Sequence, residues 1–264
     1  MSNQRFKICS MDAIIPLPAF RDNYIWLLRR GRHAVVVDPG DAAVVEHSLA
    51  ARGLELAAIL ITHHHADHVG GVAALLARHP VPVYGPATEA IAGVSHPVTE
   101  GAVIDLPALG QSFKVLDIPG HTAGHVAYYA PNLLFCGDTL FSAGCGRLLG
   151  GSAAQLFASL QRLASLPEDT AVYCAHEYTL ANLAFSRAVE PHNPARDRYA
   201  ADCEARRGRG APTLPSSIGL ERAINPFLRV GEAAIIDAVT RHSGTPPASP
   251  AACLAALRRW KDNF

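Results

Sequence analysis

The sequence predicts an α/β protein whose last third is helical, on three observations. Short apolar runs that end in polar residues recur through the first 176 positions, with helical patterns between several of them. Four of these runs end in histidine or aspartate: His63/His65/Asp67/His68, His121/His125, Asp138 and His176. Beyond residue 177 the apolar runs stop and helical periodicity takes over. In a layered α/β fold the strand ends converge on one rim, where ligands gather.

Residues 11–18 and 23–28 read as two strands, and Gly31 turns the chain into a third, wholly apolar one over 34–37. That run leaves through Asp38-Pro39-Gly40. Asp38 is either a cap for the helix expected over 41–52 or a buried carboxylate that takes the second nitrogen of a metal-binding histidine. The strand over 57–61 runs into Thr62-His63-His64-His65-Ala66-Asp67-His68. On an extended segment His63 and His65 point the same way and His64 points opposite. Asp67 and His68 follow where a helix reaching about residue 79 begins. The loop therefore offers two pairs of metal ligands. A metal takes three or four, so the loop starts two sites and completes neither. A histidine-rich loop with no metal is the plainer reading, and the spacing disfavours it.

Strands are expected over 81–84, 103–106 and 113–118, the last two alternating as an antiparallel pair. The third leads into the glycine-rich segment Pro119-Gly120-His121-Thr122-Ala123-Gly124-His125. Strands over 126–129 and 133–136 follow, the second ending in Gly137-Asp138-Thr139. A helix over 153–166 precedes a strand over 171–175, which runs into His176-Glu177-Tyr178. Helices are expected over 180–190, 198–209, 231–242 and 250–262. His33, His47, His79, His96, His192 and His242 have no such placement and read as ordinary surface or structural residues.

The 264 residues suffice for one large domain or two modest ones. We expect a first domain over 1–176 and a smaller, mainly helical one over 177–264; the resemblance given below implies that the first is catalytic and the second binds substrate. Hydrophobic residues make up 49% and charged residues 17%, as in globular rather than disordered chains. The 23 basic residues equal the 23 acidic ones, which argues against nucleic acid as the main partner. Six cysteines, Cys9, Cys136, Cys145, Cys174, Cys203 and Cys253, form no CxxC and no disulfide framework, so a reducing compartment is expected. The start, MSNQRFKICSMDAII, carries no long apolar core, so no membrane association and a cytoplasmic location are expected. A monomer is expected as well.

The motifs THHHADH and GHTAGH, the Gly-Asp after a strand and the late His176 resemble the metallo-β-lactamase superfamily in its binuclear hydrolase form. More narrowly, the chain resembles the glyoxalase II family. This rests on Ile15-Pro-Leu-Pro-Ala, Asp22-Asn23-Tyr24, Asp138-Thr-Leu-Phe with Gly144-Cys-Gly-Arg147, His176-Glu-Tyr-Thr179, Asn225-Pro-Phe-Leu-Arg229 and the ending Arg258-Arg-Trp-Lys261-Asp-Asn-Phe264. The resemblance spans essentially the whole chain. It implies a four-layer αββα sandwich followed by a helical domain that covers the substrate. His63, His65 and His121 would hold one divalent ion, and Asp67, His68 and His176 a second, with Asp138 bridging. Zinc is the first choice of metal, iron and manganese the alternatives. Asp67 and Asp138 are then the carboxylates of a centre whose metal-bridging hydroxide is the nucleophile. His64 is not a ligand, and Asp38 and His125 support the site without binding metal.

The activity implied is hydrolysis of the thioester S-D-lactoylglutathione to D-lactate and glutathione, the second step of methylglyoxal detoxification. Glutathione has two carboxylates, so cations should meet it. The resemblance assigns Arg147, Leu149, Tyr178, Arg258 and Lys261 to that contact. Arg258 and Lys261 are three apart and share a helix face. One departure stands out: the family commonly continues Gly-Cys-Gly-basic with an aromatic and Glu-Gly, and here Leu148-Leu149-Gly150-Gly151 follows Arg147. Only the backbone N–H of Leu149 then remains for the substrate. The alternatives are a glutathione persulfide dioxygenase using one iron, or another hydrolase of this fold.

Overall fold

The computed structural model describes residues 11–264. Cys9 and the rest of the opening segment lie outside them. In chain order the elements are β1 (Ala13–Ala19), β2 (Asn23–Arg30), β3 (His33–Val37), α1 (Ala42–Arg52), β4 (Glu55–Leu60), α2 (Ala66–Val69), α3 (Val72–Leu76), β5 (Val83–Pro86), β6 (His96–Val98), β7 (Val103–Leu106), β8 (Gln111–Asp117), β9 (Val126–Ala130), β10 (Leu133–Gly137), β11 (Leu140–Phe141) and β12 (Gly144–Cys145). Then come α4 (Ala153–Ala164), β13 (Ala171–Cys174), α5 (Thr179–Val189), α6 (Pro194–Gly208), β14 (Ser216–Ser217), α7 (Ile218–Ile224), α8 (Ala233–Ser243) and α9 (Pro250–Asp262).

The chain divides into two compact units. One holds the chain up to Leu116 together with Tyr128–Ala130; the other holds Asp117–Ala127 and Pro131–Phe264.

In the first unit, β1 to β6 form one sheet in sequence order. β1, β2 and β3 pair antiparallel, Pro16 facing Trp26 and Trp26 facing Val37. From β3 onward the pairs are parallel, joined by crossovers that need helices or long loops. Leu17, Ile25, Leu27, Val36, Val45, Ile59, Ile61, Leu75 and Val83 make its core. β7 and β8 pair antiparallel, as their alternation predicts. Asp41, not Asp38, caps α1, its side chain accepting from the Ala43 and Val44 N–H groups. The helix expected to run on to residue 79 is broken into α2 and α3 at Gly70-Gly71. A Cβ on Gly71 would come within 2.4 Å of the Pro39 carbonyl oxygen, so the break lets the backbone approach the strand exit.

In the second unit β10 and β13 pair parallel, and β13 pairs antiparallel with β14. β11 and β12 form a two-rung ladder. β6, β11, β12, β14 and α7 have no counterpart in the sequence reading. Each is too short for periodicity to register, and β14 shows that strands do not stop at residue 177. α6 starts at Pro194, ahead of the expected residue 198, because Asn193 caps it and proline suits the first turn. Ala143, Leu183, Ala200, Cys203 and Ile224 form a core cluster of this unit. Cys136, Cys145, Cys174, Cys203 and Cys253 are all free and buried. No helix among the described residues is long and apolar enough to cross a membrane.

Candidate metal centre

The first unit presents His63 and His65 between β4 and α2 and Asp67 and His68 on α2, with the buried carboxylate of Asp38 beneath His63 and His68. Asp38 leaves β3 with a left-handed φ of 53°, rare outside glycine, and points its carboxylate inward. Its Oδ1 accepts the Thr62 N–H at 2.8 Å, and its Oδ2 accepts the Thr62 hydroxyl at 2.8 Å. Its Oδ2 also lies 3.1 Å from Nδ1 of His68. Thr62 Oγ1 spends its proton on Asp38, so towards His63 Nδ1, 3.1 Å away, it acts as acceptor. His63 thereby carries Nδ1–H and keeps the lone pair of Nε2 as a donor atom, while Nδ1 of His68 stays within 3.1 Å of the Asp38 carboxylate. The Asp38 carboxylate thus lies buried against Thr62 and His68, and the cap of α1 falls to Asp41.

Nε2 of His63 faces Nδ1 of His65 at 3.0 Å, so two ligand atoms converge on one point. Asp67 receives the Asn23 side-chain amide at 2.9 Å and lies 3.5 Å from Nε2 of His68. His64 turns away from this group and lies 2.8 Å from the Glu89 carboxylate, as the alternation argument requires. The sequence reading gave Thr62 no role, and it quoted Asn23 only within the motif Asp22-Asn23-Tyr24; their contacts here are with His63 and Asp38, and with Asp67.

The second unit presents His121 after β8, Asp138 at the exit of β10 and His176 after β13. Nδ1–H of His121 donates to the Arg147 carbonyl at 2.8 Å, leaving Nε2 as the donor atom. Asp138 Oδ2 lies 3.6 Å from Nε2 of His121 and 3.3 Å from Nε2 of His176, between the two imidazoles. His125 is fully buried, with Nδ1 on the Val126 carbonyl and Nε2 accepting the Asp138 N–H at 3.1 Å. With both nitrogens engaged, it positions Asp138 and has no lone pair left for a metal.

The residues assigned to glutathione behave less uniformly. Tyr178 stacks face to face on His176, centroids 4.7 Å apart and planes 3° apart. Arg147 projects into solvent, with its Nε 3.8 Å from Asp262. The Leu149 N–H donates to the His121 carbonyl at 2.8 Å, so the expected backbone donor for substrate is already engaged. Its side chain is exposed. Arg258 is buried and donates to the Cys145 carbonyl at 2.7 Å. Lys261 donates to the Ala181 carbonyl at 3.0 Å, and burial, then Arg258 and Arg147, pull its pKa down. Burial pushes the Cys145 thiol up to about 11, Arg258 countering only in part, so at neutral pH it is no nucleophile.

The donors suit divalent metals: imidazoles with fixed tautomers and buried or anchored carboxylates. The fold is that of the metallo-β-lactamases. The profile described as metallo-beta-lactamase superfamily matches residues 19–176, and the one described as hydroxyacylglutathione hydrolase C-terminus matches residues 177–264. The chain is a member of the metallo-β-lactamase superfamily. Within it, the chain belongs to the hydroxyacylglutathione hydrolase family.

Two relatives of that name, from Alkalilimnicola ehrlichii and Nitrosomonas eutropha, are 57% and 51% identical over 96% of this chain and 99% and 100% of their own. Among solved structures, ETHE1 from Myxococcus xanthus is 27% identical at a TM-score of 0.61, covering 92% of this chain and 98% of that one. TTHA1623 in a di-iron-bound form is 32% identical at a TM-score of 0.58, covering 81% of this chain and 100% of that one.

Proposed function

We propose that the protein is a metal-dependent thioester hydrolase that cleaves S-D-lactoylglutathione, and other S-2-hydroxyacylglutathiones, to the hydroxy acid and glutathione. One observation carries the reading: relatives named hydroxyacylglutathione hydrolase align over nearly the whole of both chains at about half identity. The match of residues 177–264 to that family's own C-terminal region supports it. We keep the functional division at 176/177, with ligands from the first segment and most substrate contacts from the second.

The assignment is His63, His65 and His121 to one ion, Asp67, His68 and His176 to the other, and Asp138 to both. Each set of three offers three ligand atoms. Imidazole and carboxylate suit zinc, iron and manganese alike; zinc is the first choice, and the relative described as di-iron-bound keeps iron as the alternative. Such ions supply, when bound, Lewis acidity towards a carbonyl and hydroxide at neutral pH. The chain's own groups do the rest. Asp38 through Thr62, and the Arg147 carbonyl, hold the imidazoles in one tautomer. Asn23 and His125 hold the two carboxylates. Exposed Arg147 and half-buried Lys261 are the cations we assign to the glutathione carboxylates. The leaving thiol has a pKa of about 8.5 by analogy with cysteine, so it departs as thiolate with little need of a general acid. Five buried free cysteines fit a reducing, cytoplasmic setting, and we keep the monomer as the expected state.

The test is hydrolysis of S-D-lactoylglutathione, followed at the thioester absorbance, with metal content measured on the same sample. Two equivalents of metal and turnover are expected. Retained activity in His63→Ala or Asp138→Asn would overturn the reading, and oxygen uptake with glutathione persulfide would replace it with an oxygenase.

A further inference from the structure

Helix α9 ends in residues that the family resemblance assigns to substrate, and the geometry gives Arg258 a further task. Its side chain is 6% exposed, and its guanidinium carbon lies 5.3 Å from the centre of the Phe227 ring. Nη1 donates to the Cys145 carbonyl at 2.7 Å, while Nε and Nη2 reach Asp262 Oδ1 at 3.2 and 3.0 Å. Asp262 also lies 3.8 Å from Arg147 Nε. Two contacts thus tie the end of α9 to the segment Cys145–Arg147.

That segment is pressed against the ligands. A Cβ on Gly146 would stand 2.0 Å from the Asp138 carbonyl oxygen and 3.1 Å from Nδ1 of His121, so no other residue fits. The Gly146 N–H donates to the Thr139 carbonyl at 3.2 Å. One residue on, the Arg147 carbonyl takes Nδ1–H of His121 at 2.8 Å. Two further on, the Leu149 N–H takes the His121 carbonyl at 2.8 Å. His121 is therefore gripped at ring and backbone by one short loop. Between Cys145 and Arg147, Gly146 is held by its N–H on the Thr139 carbonyl and by the close Asp138 backbone, so the segment has little room to absorb a displacement of Cys145.

We propose that Arg258 is a positioning residue for His121, fixing its tautomer and ring orientation through the loop Cys145–Leu149. This rests on the reading of His121 as a metal ligand. The experiment compares Arg258→Met, which keeps the packing on Phe227 but has no donor, and Arg258→Ala with the parent. Arg259→Ala, an exposed neighbour on the same helix, is the control. Zinc affinity is read by competition with a chromophoric chelator. The His121 ring nitrogens are read by NMR in metal-stripped protein.

Loss of an outer hydrogen-bond partner typically costs 10–100-fold in metal affinity. About a tenfold or greater loss at one of two sites is expected in the Arg258 variants, with Arg259→Ala like the parent. Metal-stripped parent should show a single Nδ1–H tautomer, and Arg258→Met a mixture. Parental zinc affinity and an unchanged His121 signal in a folded Arg258→Met would overturn the proposal, even with a raised KM for thioester. A parent that binds no metal would instead overturn the proposed function, and the tautomer reading in stripped protein would still decide this one.

Discussion

Asp38 shows how much of a metal site is decided one atom outside the ligands. Its left-handed backbone costs roughly 1 kcal/mol, offset by hydrogen bonds to the Thr62 N–H and hydroxyl and by its approach to His68. The Thr62 hydroxyl then orients His63. Thr62→Val removes the relay while keeping the shape, so metal affinity measured by chelator competition should fall about 10–100-fold. Thr62→Ser keeps the hydroxyl and should stay near the parent; equal losses in both would show that bulk, not the hydrogen bond, matters. Asn23→Ala removes the amide that donates to the Asp67 carboxylate. It should lower the affinity for one metal equivalent and leave the other, a split visible in a two-phase titration. That Asp38 faces Thr62 and His68 rather than capping α1 could not be read from the strand exit. Both roles use a carboxylate in the same place, and the choice depends on Asp41 taking the cap.

At the scale of elements, the turn between β11 and β12 is held by side chains from distant helices. Asn225 donates to the Phe141 and Gly144 carbonyls, Asn182 to the Ser142 carbonyl, and Glu221 accepts the Ala143 N–H at 2.8 Å. Ala143 has a left-handed φ of 55°. The turn has few backbone partners of its own, so buried side chains must supply them. Asn225→Ala should cost about 1–3 kcal/mol for the groups it strands, measured by urea unfolding.

Glu221 is fully buried, and burial raises its pKa, with Ser216, the Ala143 N–H and Asn225 opposing. The folded state therefore binds this proton more tightly than the unfolded one. The stability this contributes is present at acid pH and is lost as pH rises from the unfolded value, about 4.3, through the raised folded value. Glu221→Gln removes the titration. Relative to the parent it should gain stability as pH rises above the unfolded value, by at most about 1.4 kcal/mol per pH unit. A difference independent of pH would show that Glu221 does not titrate there. These clamps were invisible in the sequence because β11 and β12 are only two residues long and their partners lie 40 to 84 positions away.

For the molecule as a whole, metal bound by the native state alone is stabilisation by mass action, about 4 kcal/mol at a thousandfold excess over Kd. Stripping with a chelator should abolish thioester hydrolysis and lower the melting temperature by roughly 10 °C, and zinc should restore both. A melt unmoved by the chelator would sink the reading of these histidines as ligands of a tightly bound metal. The sequence by itself determined the class of fold, the ligand residues to expect and the family. Those rest on local signals: apolar runs of strand length, histidines at spacings that choose a face, and motifs of adjacent residues. The tertiary structure decided what each donor hydrogen bonds to. It placed the Leu149 N–H on His121, and it put Arg258 on a carbonyl 113 positions away. A hydrogen bond depends on distance and angle in space, and spacing along the chain carries neither once the chain has folded back on itself.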